Sequence, residues 1–272
     1  MVSQGSAINR RNFGETSRKD GWWIQPVAVF TILSSFVIYA TWAALQGANY
    51  FFHDGGAHYL SPFYSPLLYG AAHEPRFFAA QVPSWWPSFI PFSAAMLIMA
   101  GPAGMRTTCY YYRGAYYKAF WADPPACAVG EPRKSYWGEN SLPLILQNAH
   151  RFFFYIACLF VFVLTYDAYK AFWFVSADGA TKFGVGVGSI VLLLNAFFLG
   201  GYTFGCHCSR HLFGGGLNVF AKKKITKACY DCVSALNARH MNWAWVSLVW
   251  VGFTDVYIRM CAMGIWSDWR IF

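Results

Sequence analysis

Residues 150–171 read HRFFFYIACLFVFVLTYDAYKA. Between Arg151 and Asp167 the run carries no charge at all. A stretch of about 20 apolar residues spans the hydrocarbon of a bilayer as a helix, which satisfies its own backbone groups where water cannot. Four other stretches approach the same length. With this one, the expected spans are about 22–45, 85–105, 150–171, 185–205 and 243–263. Pro87, Pro91 and Pro102 predict a kink or a late start in the second. The fourth is glycine-rich at both ends, which favours close helix packing.

Composition agrees with these spans. Of the 272 residues, 57% are apolar and 12% charged, against about 45–50% and about 25% in soluble domains. Aromatics reach 21%, an excess suited to the lipid–water boundary. Disorder and a small disulfide scaffold are excluded. No signal peptide is evident, because the first apolar run follows twenty polar residues without a small-residue cleavage site. The expectation is an all-α integral membrane protein, one domain over residues 1–272, with five transmembrane helices and long cytoplasmic loops.

The net charge of +9 is a matter of distribution. Four basic residues (Arg10, Arg11, Arg18, Lys19) precede the first span, and only Arg76 follows it. Five (Arg106, Arg113, Lys118, Arg133, Lys134) lie in the loop 106–149, then two (Lys170, Lys182) after the third span. Six, among them Lys222, Lys223 and Lys224, fall in 206–242, and the last two are Arg259 and Arg270. This alternation predicts a multi-pass protein of the cell membrane with its N-terminus in the cytoplasm and its C-terminus outside. It predicts no nucleic-acid binding.

On that topology, six of eight cysteines and four of seven histidines reach the cytoplasmic boundary. The histidines His150, His207 and His240 lie at span ends. Haem-bearing bundles place axial histidines inside their spans, so haem b is not expected. Thiols and imidazoles at one depth point to a metal. His207 and His211, four apart, share a helix face. Two Cys and two His suit a structural zinc or a Rieske-type [2Fe-2S] cluster. Cys158 and Cys261, inside spans, read as small buried hydrophobes. Asp167 and Asp255 are the acids near span interiors.

Several of these segments carry a resemblance. Thr108-Cys-Tyr-Tyr-Tyr-Arg113, Pro124-Pro-Ala-Cys-Ala-Val129, Leu144-Ile-Leu-Gln-Asn-Ala-His-Arg151, Gly205-Cys-His207 with Arg210-His211, and His240-Met-Asn-Trp-Ala-Trp245 look like the five-helix membrane anchor of mycobacterial-type succinate dehydrogenase. The resemblance covers about residues 100–260 and lacks the mid-membrane haem histidines of better-known anchors. It implies flavoprotein and iron–sulfur partner subunits, and delivery of electrons to quinone; a higher oligomer of the complex is compatible with it. A quinone pocket at the cytoplasmic boundary is expected from Tyr111, Trp121, His150 and Arg151, with Arg151 on a carbonyl oxygen. The cluster is expected on Cys109 and Cys127 at one iron and two of His207, His211 and His240 at the other, with Cys206 in reserve. Cys208, Cys229 and Cys232 rank below it. Zinc fits the same ligands but carries no electron. The other reading is a transporter-like protein with that zinc at its cytoplasmic mouth.

Overall fold

The computed structural model describes residues 12–54, 56–69, 84, 86–89, 92–133, 140–142, 144–176, 178–219 and 223–272. The basic residues Arg10, Arg11, Arg76, Lys134 and Lys222, and the start of the second expected span at Trp85, lie outside them. The element order is α1 (Ile24–Gln46), β1 (Phe51–Asp54), β2 (Ala57–Leu60), α2 (Ala94–Thr107), α3 (Tyr110–Ala119), a 3-10 turn (Leu144–Ala149), α4 (His150–Lys170), β3 (Trp173–Val175), β4 (Thr181–Phe183), α5 (Val187–Phe204), α6 (His207–Gly214), α7 (Lys224–Asn237) and α8 (His240–Ala262).

Three helical segments are long and apolar enough to cross a membrane: Ile24–Gln46, Leu144–Lys170 and Val187–Phe204. They coincide with the first, third and fourth expected spans. The fifth coincides with the 23-residue α8, whose Asp255 and Arg259 dilute its hydropathy. In the second, α2 covers 14 residues and contains Pro102. The structure is mostly helical rather than all-α, since β1–β2 and β3–β4 form two antiparallel hairpins. The loops that carry them must pair their own backbone groups, and the Asp54-Gly-Gly56 run is a hairpin signal.

The chain forms two compact units. The first combines Met1–Ser35 with Arg106–His150. Here the N-terminal segment pairs with the loop before residue 131: Gly14 N–H donates to Gly130 O and Gly130 N–H to Glu15 O, both at 2.9 Å. Arg18 donates to the Cys127 carbonyl at 2.9 Å, and Phe30 packs on Phe120 with ring centroids 4.8 Å apart.

The second unit combines Phe36–Met105 with Arg151–Phe272, and its framework is the α5–α8 pair. Gly201 lets the two helices meet, for a Cβ there would lie 2.6 Å from the Trp243 ring. Asp268 ties the start of α5 to the hairpin and to α8: it accepts from Gly188 N–H at 2.8 Å, Tyr59 OH at 2.8 Å and Tyr257 OH at 2.7 Å. The carboxylate thus sits where the helix dipole favours it. Helix α8 ends in a Schellman closure: Gly264 adopts φ +71°, its N–H bonds Cys261 O, and Ile265 N–H bonds Met260 O, each at 2.9 Å. Within α8, Asp255 and Arg259 form an ion pair at 2.7 Å, both fully buried.

On α4 the residues turned outward are Phe152 (71% exposed), Leu159 (62%) and Phe162 (66%). Apolar side chains bared in this number suit hydrocarbon rather than water. Gly201→Ala is expected to overpack the α5–α8 seam and cost about 1–3 kcal/mol. A lowered thermal midpoint of the detergent-solubilised protein checks this, and an unchanged midpoint would contradict it.

Candidate functional site

In the first unit the chemistry gathers around α3 and the residues leading into α4. Cys109 caps α3 in an extended conformation (φ −66°, ψ 129°) and is buried. Its neighbour Thr108, also buried, places Oγ1 2.9 Å from Nδ1 of His150, the first residue of α4. With Nδ1–H donating, the imidazole lone pair lies on Nε2. Tyr112 is buried, and its hydroxyl accepts from Arg106 at 2.7 Å; burial pushes its phenol pKa up. Tyr111 packs edge-on against Tyr112, with centroids 5.8 Å apart. Tyr116 donates to Thr107 O at 2.7 Å and receives a bond from Gln147 at 3.4 Å. Trp121 is boxed by Tyr117 at 4.7 Å and Tyr116 at 5.5 Å, with the Arg133 guanidinium over its face at 5.8 Å. Cys127 is exposed on the surface loop that Arg18 holds.

In the second unit, α5 ends at Gly205 and Cys206 caps α6 with its side chain: Cys208 N–H points at Cys206 Sγ, 3.5 Å away. Cys206 is buried and Cys208 half-buried. The hydrogen bond from Cys206, followed by the positive charge of Arg151, brings the Cys208 thiol down to about 7. The thiolate is the form of such a group that binds metal. His207 and His211 share one face of α6, as their spacing predicts, with ring centroids 4.7 Å apart. Both are exposed. His240, half-buried, opens α8 and stacks on Tyr202 at 5.1 Å. Asn237 donates to Gly205 O at 2.7 Å, fastening the end of α7 to the end of α5.

Sorted by burial, Cys109, Cys206, His150 and His240 are sheltered, whereas Cys127, His207 and His211 face outward. Of the quinone candidates, Tyr111 and Trp121 share the α3 neighbourhood, while Arg151 is exposed and acts on the Cys208 thiol. Two features escaped the sequence reading. One is Thr108, whose adjacency to Cys109 is the only local signal for it. The other is Cys208, ranked low because its link to Cys206 is a helix-cap contact.

Apolar helices that bare their side chains, three of them long and apolar enough to cross a bilayer, define the class as a membrane protein, with thiols and imidazoles at its helix ends. The chain belongs to the actinobacterial succinate dehydrogenase subunit SdhC family, whose model matches residues 24–264. Among solved structures it is similar to a chain of the Mycobacterium smegmatis Sdh1 complex in the apo form. The two are 42% identical, the match covers 98% of each chain, and the TM-score is 0.82. No curated protein sequence matches.

Proposed function

We propose that this chain is the five-span anchor of a succinate:quinone oxidoreductase in the cell membrane. It docks the iron–sulfur and flavoprotein subunits on its basic cytoplasmic loops and passes their electrons to quinone through a Rieske-type [2Fe-2S] cluster. The observation that carries the reading is the set of sheltered thiols and imidazoles in a member of the SdhC family. Membership gives the complex, and the thiols and imidazoles support the carrier.

Each unit supplies one thiol and one imidazole of the types that such a cluster uses. Cys109 and Cys206 are the buried thiols of the set, and both sit at helix N-caps. His150 has the support a ligating histidine needs, an oxygen partner on its other ring nitrogen that holds the ring angle. On that ground we place His150 with the cluster in this proposal rather than with the quinone. His240, steadied by Tyr202, is the second imidazole. When bound, a cluster of this kind carries one electron at a potential of about −150 to +300 mV, because two neutral imidazoles replace two thiolates.

The remaining residues serve the quinone. Arg151 is the residue type that holds a carbonyl oxygen, Tyr111 one that supplies a proton, and Trp121 one that suits the apolar wall of a quinone pocket. The test is purification of the assembled complex from membranes. Flavin, and more iron than the soluble subunits hold, are expected, with a low-g EPR signal on reduction. A zinc content matching the chain, with no such signal, would leave a structural metal in its place. The same sample reduced with dithionite should show no haem α-band stoichiometric with this chain; a stoichiometric band would overturn the haem-free reading. For topology, a reporter active only in the cytoplasm should stay silent when fused after Phe272.

A further inference from the structure

The β1–β2 hairpin carries two histidines that the electron path does not use. Its register sets His53 directly opposite His58. Their rings lie 4.2 Å apart between centroids, and Nδ1 faces Nδ1 at 2.9 Å. Both line a cavity of about 1160 Å³, together with Phe51, Tyr169, Lys170 and Trp173.

We propose that His53 and His58 form a binding site for a divalent transition metal, with copper(II) the preferred ion. The geometry argues for it in three ways. First, the bite is right. Two nitrogens about 2.0–2.1 Å from a metal lie roughly 2.9 Å apart when they occupy neighbouring corners of a square or octahedron. A tetrahedral angle would need about 3.3 Å. The pair therefore suits tetragonal ions, and copper(II) heads the affinity order among them.

Second, the pair is held in place before any metal arrives. On the opposite face of the hairpin, Phe52 and Tyr59 are buried, and Tyr59 donates to Asp268 at 2.8 Å. At the turn, Val175 N–H donates to Gly56 O at 2.9 Å, and a Cβ on Gly56 would collide with the Val175 carbonyl. The Phe51 ring runs parallel to His53, with centroids 6.4 Å apart. So the strands cannot slip, and binding costs little ordering of the ligands.

Third, the site is open and nearly balanced in charge. His53 is exposed, so an ion reaches it from solvent, and the cavity leaves room for water in the remaining positions. Asp54 and Lys170 line the same cavity with opposite charges. On metal binding the donating ring gives up its Nδ1 proton and takes one on Nε2 by exchange with water, so both imidazoles bind through Nδ1 as neutral Nε2–H tautomers.

The probe is copper(II) iminodiacetate, a chelate that keeps copper from thiols and leaves adjacent positions for two imidazoles. It is added to the air-oxidised, assembled complex and followed by EPR and electron spin-echo modulation. One chelate per chain with two coordinated imidazoles is expected, as the difference between parent and H53Q/H58Q. H53Q alone should weaken binding by roughly tenfold or more and leave a single-imidazole pattern. Equal copper uptake by parent and double variant would overturn the site and leave a histidine pair that is hydrogen-bonded only. Should H58Q fail to assemble, H53Q, altered at an exposed ring, decides the question alone.

Discussion

Replacing His150 and His240 together by alanine is expected to strip two irons from each copy of the chain and remove the low-g signal. Quinone reduction should fall to about one part in a hundred or lower, since losing even an outer-shell partner of a ligand costs about 10–100-fold. His150 is chosen because Thr108 Oγ1 lies 2.9 Å from its Nδ1, and His240 because Tyr202 steadies its ring at 5.1 Å. The matching control is His207→Ala with His211→Ala. Those rings are exposed neighbours on α6, and their loss should leave the iron count alone. Iron analysis and EPR on the assembled complexes decide between the pairs. Full iron and full quinone reduction in the first variant would end the ligand assignment. Loss in the control alone would move the ligands to α6.

The second large effect is on stability. Asp255→Ala is expected to cost about 3–5 kcal/mol, because it leaves a guanidinium buried without its counter-charge. Arg259 has no route to water: it donates to Asp255 at 2.7 Å and to the carbonyls of Ala48 and Ala43, each at 2.8 Å. Asp255 in turn accepts from Ser61 and, at 2.5 Å, from Tyr39. One ion pair therefore ties α8 to α1 residues 36–46 and to the segment after β2. Asp255→Ala with Arg259→Met should recover most of the loss, as apolar replacement of both partners of a buried pair often does. Thermal unfolding of the solubilised protein reads both variants. A single variant as stable as the parent would show that water reaches Arg259.

Much of the framework was legible in residue order. Helices α1, α4 and α5 begin and end within two residues of the expected spans, because long uncharged runs and capping glycines mark them. The hairpins were not, although Asp54-Gly-Gly56 signals a turn. Strands of three and four residues are too short for their alternation to stand out among so many aromatics. The role of Asp255 was hidden in part. Arg259 four residues on is a partner that the sequence offers, but Tyr39 and Ser61, about two hundred residues away along the chain, are not.

Sequence by itself determined the class of protein, the places where helices run, and which residue types gather at their ends. Those follow from transfer free energies and charge sums, which add along the chain whatever its arrangement. Only the tertiary structure decided which of these side chains are sheltered and which oxygen fixes the His150 ring. It also decided which oxygens of α1 and of the segment after β2 close around the Asp255–Arg259 pair, and that His53 and His58 turn the same nitrogen toward each other. Such contacts depend on how segments pack to within a few tenths of an ångström, which transfer energies and charge sums do not specify.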